Sequence, residues 1–125
     1  MNRRSALVSG LACAVSYGPF AHAAPPVIAQ TEINYLLGLI ERSGCMFYRN
    51  GSWYDARQAQ AHLRSKYDAL AAMDRIATAE DFIEQTATKS SLSGKAYAIR
   101  CNSDPVVTTD QWLRDALARY RLAAG

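Results

Sequence analysis

Histidine, cysteine and long hydrophobic runs are all scarce in this chain of 125 residues, and each scarcity removes a class of function. Two histidines occur, His22 and His62, and only His62 lies beyond the N-terminal segment. Acid–base chemistry therefore rests on carboxylates or one imidazole. One histidine without a carboxylate cluster cannot assemble a typical zinc or iron shell, so neither a metal site nor a cofactor is expected. The apolar run from Ala6 to Val15 is broken by Tyr17-Gly18-Pro19, short of the roughly 18 residues a membrane span requires. Stable membrane insertion is not expected. Charge of one sign is lacking too: Arg3 and Arg4 supply two of the 14 basic residues, and the rest nearly balance the 11 acidic ones. A near-neutral surface gives no footprint for nucleic acid.

The N-terminus has a recognisable pattern. Asn2-Arg3-Arg4, the apolar Ala6–Val15 core and the small residues of Ala21-His22-Ala23 form a Sec-type signal peptide over 1–23, with cleavage near Ala23. Cys13 has the wrong preceding residues for a lipoprotein box, and Arg3-Arg4 is shared with ordinary Sec signals. The expected location is the periplasm or the exterior. Removing Cys13 with the signal leaves Cys45 and Cys101, which an oxidising compartment favours as a disulfide. Closing a loop of that length, about 56 residues, stabilises by about 4 kcal/mol on the chain-entropy model.

After a short linker at 24–30, residues 31–125 read as one domain. Ile33, Leu36, Leu37 and Ile40 have helical spacing, and Gly44 closes that helix. Asn50-Gly51 between Cys45–Tyr48 and Ser52–Tyr54 predicts a hairpin with a type I′ turn. Asp55 caps a second helix with Ala59, Leu63, Tyr67 and Leu70 inward, and Thr78 with Asp81 forms a capping box for a third. Lys95–Arg100 alternates as a strand around Tyr97 and Ile99. Thr108 or Thr109 caps the last helix, which buries Trp112, Leu113, Ala116, Leu117 and Tyr120 and pairs Asp110 with Arg114 and Asp115 with Arg119. The fold class is α+β: four helices with a small antiparallel sheet, a β-hairpin plus one further strand, and one disulfide.

Ser43-Gly44-Cys45-x-Phe47-x-Arg49-Asn50-Gly51-x-x-Tyr54, Ala61-His62-Leu63-x-x-Lys66-Tyr67, Thr78-Ala79-Glu80-x-Phe82-Ile83 and Ser90-Ser91-x-Ser93-Gly94-x-x-Tyr97 together resemble the YfeK-like family of small exported bacterial proteins, a domain of unknown function. The resemblance covers roughly Ile33 to Tyr120 and implies a compartment, not a mechanism.

Three groups of residues are candidates for binding. His62 and Lys66 share a helical face at i, i+4 and suit an anion, against the plainer reading of a solvated face with His62 bonded to a neighbouring loop. Ser90, Ser91, Ser93 and Gly94, flanked by Lys89 and Lys95, form a hydroxyl-rich loop suited to a polar or anionic ligand, or one whose serines cap backbone groups. Arg49 and Asn50 at the hairpin tip, with Trp53 and Tyr54, have the composition of interface hot spots, or the aromatics are sheet core. These residues favour a non-enzymatic binding module of the cell envelope, its partner an envelope protein or a small polar or anionic ligand. The alternative is a small hydrolase using Ser91 or Ser93 with His62 or a lysine. A weaker one follows from Ser93-Gly94-x-x-Tyr97, which resembles the inserting loop of small exported lysozyme inhibitors.

Overall fold

The computed structural model describes residues 24–125; the segment read as a signal peptide lies outside them. The first helix, α1 (Val27–Arg42), is the centre of the molecule. Its Ile33, Leu36, Leu37 and Ile40 are fully buried, and α2 (Ala56–Ala71), α3 (Ala79–Thr86) and α4 (Thr109–Ala124) all contact it. Each such side chain contributes about 1.5–3 kcal/mol of burial.

The helix begins four residues before Thr31, which corrects the expected linker at 24–30. Pro26 holds extended backbone and caps the helix, its carbonyl accepting from Gln30 N–H, and Ala29 is buried with the core. Exposed Val27 and Ile28 obscured the helical pattern at this end.

The sheet has four strands in the order β2-β1-β3-β4, all antiparallel: β1 (Met46–Arg49), β2 (Ser52–Tyr54), β3 (Ala98–Arg100) and β4 (Val107–Thr108). The last is additional to the expected three. At two residues it is too short to show alternation. Asn50 and Gly51 both have positive φ, 50° and 91°, as the type I′ turn requires. Asp55 caps α2 as expected, with Gln58 completing a capping box there; the Thr78–Asp81 box forms as expected, and Thr108 caps α4. Arg114 pairs with Asp110, but Asp115 accepts from Gln111 Nε2 at 2.8 Å in place of the expected Arg119. Gln111 competes at the same i, i+4 spacing.

The register decides which strand residues can meet the helices. Phe47 pairs with Tyr54 and Ile99, while Tyr48 pairs with Trp53 and Ala98. Successive side chains alternate faces, so Arg49, Phe47, Tyr54, Tyr97 and Ile99 share the helix side. Met46, Tyr48, Trp53 and Arg100 take the other. The Cys45–Cys101 disulfide ties the start of β1 to the end of β3.

Candidate functional site

The site is built where β1, α2 and the approach to β3 meet. Leu63 and Tyr67 anchor α2 in the core, and their periodicity leaves His62 and Lys66 half-buried at the edge, facing the sheet. Tyr97 comes from the chain just before β3 and is 4% exposed. Its N–H donates to Thr88 C=O and its own C=O accepts from Thr109 N–H. The ring is thereby fixed between α2 and the start of α4.

The Tyr97 hydroxyl is the node of the cluster. Lys66 Nζ donates to it at 3.2 Å and lies 5.2 Å from the ring centroid. His62 Nε2 is 3.3 Å from the same oxygen. With His62 neutral, Tyr97 O–H can donate to Nε2; once protonated, His62 donates instead. Arg49 completes the group, its guanidinium 4.5 Å from the Tyr54 ring centroid. Among the described residues neither Arg49 nor Lys66 forms a salt bridge.

The electrostatics follow from crowding cations without an acidic partner. Burial holds His62 below its ordinary pKa, and the charges of Arg49 and Lys66 lower it further. Lys66 is lowered by burial and then by Arg49. Burial raises Tyr97, and Arg49 partly offsets the rise. The cluster is therefore a positively charged recess with donors and little competing acceptor capacity, suited to an anion.

Two hollows flank it. A small pocket of about 20 Å³ is lined by Phe47, Arg49, Tyr54, His62, Tyr97 and Thr109 among others. An open groove of about 720 Å³ runs from Lys66 past Leu70 and Gln85 to Lys89, Ser90, Ser91 and Gly94. Lys66 thus joins two of the three groups expected from sequence, and Arg49 and Tyr54 join the third.

Other expected residues have structural employment. Ser90 is buried and its Oγ accepts from Leu92 and Ser93 N–H at 3.1 and 3.3 Å. Ser93 Oγ accepts from Lys95 N–H at 3.2 Å. Gly94 supplies a turn at φ 73°. Ser91 is exposed with no side-chain hydrogen bond among the described residues. Asn50 sits exposed in the turn, and Trp53 lies on the other sheet face beneath Arg100, 4.6 Å from its ring centroid. No hydrogen bond joins a serine to His62 or a lysine side chain among the described residues, so the hydrolase dyad is not assembled.

The family of unknown function DUF5329 matches residues 27–121, nearly all of this fold. The chain belongs to that family. It is also 38% identical over 69 residues to the uncharacterized protein YfeK of Salmonella typhimurium, a stretch covering 54% of this chain. That stretch spans 56% of YfeK's length. No solved structure matches the chain.

Sequence reasoning missed Tyr97 and Thr109 as site residues. The alternation around Ile99 already turns Tyr97 inward, and a buried tyrosine hydroxyl needs a partner. That signal pointed to α2. Thr109 reads only as a helix cap, and nothing in its local sequence marks it further.

Proposed function

We propose that the protein is an exported, non-enzymatic binding module that takes an anionic ligand at Arg49, His62, Lys66 and Tyr97. The observation carrying this reading is that Lys66 bonds the Tyr97 phenol and Arg49 lines the same pocket as Tyr97, while no carboxylate pairs with either cation among the described residues. Half-buried like charges oppose folding, and a bound anion would reverse their contribution. The groove toward Ser91 and Lys89 gives room for the rest of a ligand or a partner's surface. Export is supported by the N-terminal pattern and agrees with the Cys45–Cys101 disulfide.

Nuclear magnetic resonance titration of the oxidised protein with sodium acetate, sulfate and phosphate, at ionic strength fixed with sodium chloride, tests the reading. The expected result is a saturable shift of the His62 and Lys66 resonances for at least one of these anions, weakened at least tenfold by Lys66→Gln. Shifts no larger than those from chloride would sink it.

A further inference from the structure

Thr109 is the first residue of α4 and is 1% exposed. Its N–H donates to Tyr97 C=O at 3.0 Å. Its hydroxyl is different: Oγ1 is buried with no hydrogen-bond partner. Buried hydroxyls are almost always satisfied, and one left alone loses its hydration without return. The same residue lines the small pocket beside His62 and Tyr97, whose space of about 20 Å³ has room for one oxygen-sized guest.

We propose that this pocket is the inner end of the anion site and that its ligand bears a carboxylate. One carboxylate oxygen enters the pocket and accepts the Thr109 Oγ1 proton in a hydrogen bond. The other stays at the rim with Arg49 and His62, which line the same pocket. The inference rests on the anion-binding reading above and narrows it by chemistry. Phe47, Ala59 and Leu63 form the apolar part of the wall and offer no side-chain donor. A tetrahedral sulfate or phosphate entering this space would turn further oxygens toward that wall and lose their hydration there. A planar carboxylate has two oxygens, and both find donors.

Thr109→Val tests the assignment because it removes only a hydroxyl that holds nothing in the free protein. The variant is expected to melt at or above the wild-type temperature while binding acetate about tenfold more weakly, the loss of one charge-assisted hydrogen bond. Thr109→Ser, which keeps the hydroxyl, is expected to retain binding. Wild type is expected to bind acetate more tightly than sulfate or inorganic phosphate at equal ionic strength. Equal acetate affinity in wild type and Thr109→Val would overturn the inference, leaving the hydroxyl as the partner of a structural water. Phosphate or sulfate binding as tightly as acetate would overturn the carboxylate assignment and leave the anion site standing. Failure of all three anions to perturb His62 would remove both readings.

Discussion

Arg121 reaches from α4 to Glu32 on α1 and Glu80 on α3, with four nitrogen–oxygen distances of 2.6 to 3.0 Å. Lys66 bonds Tyr97 and Arg49 lies over the Tyr54 ring beside it, with no carboxylate partner for either cation among the described residues. The same residue types are thus complete in one region and incomplete in the other. A charge bonded twice by carboxylates across three helices holds the helical layer together. Cations left half-buried beside one another oppose folding, and such costs collect where a protein meets a ligand. The difference separates charge neutralised within the fold from charge that the described residues leave without a carboxylate.

The largest expected effect breaks the covalent support of the incomplete region. Cys45→Ser with Cys101→Ser unties β1 from β3, the strands that position Arg49 and Tyr97. Releasing the loop is expected to lower stability by about 4 kcal/mol, measured by urea unfolding. The cluster's tyrosine and histidine resonances should broaden before those of α1. Uniform loosening of both regions would argue against a frame specific to the cluster.

Arg121→Met comes next. Glu32 is nearly buried, its side chain 12% exposed, whereas Arg121 is 44% exposed, so solvent discounts the pair. A loss of about 2 kcal/mol is expected, visible as a fall in melting temperature. Arg49→Met should change stability by less than about 0.5 kcal/mol, or raise it, while abolishing the response to acetate. Equal destabilisation by the two substitutions would erase the distinction between these arginines.

The serine loop repeats the contrast on a smaller scale. Ser90 Oγ accepts from two backbone N–H groups, whereas Ser91 stands free of side-chain bonds among the described residues. Ser90→Ala is expected to cost about 1 kcal/mol. Ser91→Ala should leave the melting temperature within error.

Most of the frame was legible because it follows from local rules. The Asn50-Gly51 turn, the caps at Asp55 and Thr78 and the stripe of α1 are each encoded within a few residues. The start of α1 was not, because exposed Val27 and Ile28 break the stripe there. The site was half legible: His62 and Lys66 share a helix, but their convergence on Tyr97 spans contacts more than 30 positions apart. Trp53 and Tyr54 could not be told apart in the sequence for a simple reason. Being on the hairpin does not say which face a residue takes until the register is known, and here Tyr54 turned inward while Trp53 turned out. Composition made the serine loop look like a site, yet Ser90 and Ser93 serve the backbone.

Acid is expected to separate the two regions by the smallest but most selective effect. Folded His62 has a depressed pKa, from burial first and then from Arg49 and Lys66. The unfolded chain therefore takes up the proton first as pH falls through about 6.5, and stability declines from there until folded His62 is itself protonated. Glu80 works in a lower window. Its pKa is lowered chiefly by the Arg121 hydrogen bond, so the stability it adds is present above about 4.5 and is lost as pH falls through the folded value. Denaturant unfolding from pH 7.5 to pH 3 should show both declines. His62→Gln removes the upper one and Glu80→Gln the lower. Acetate should reverse only the upper decline, because a protonated His62 adds a donor and a charge facing the carboxylate, and its affinity should rise between pH 7 and pH 5.5. An upper decline that survives His62→Gln would show that His62 does not carry the acid response of the cluster.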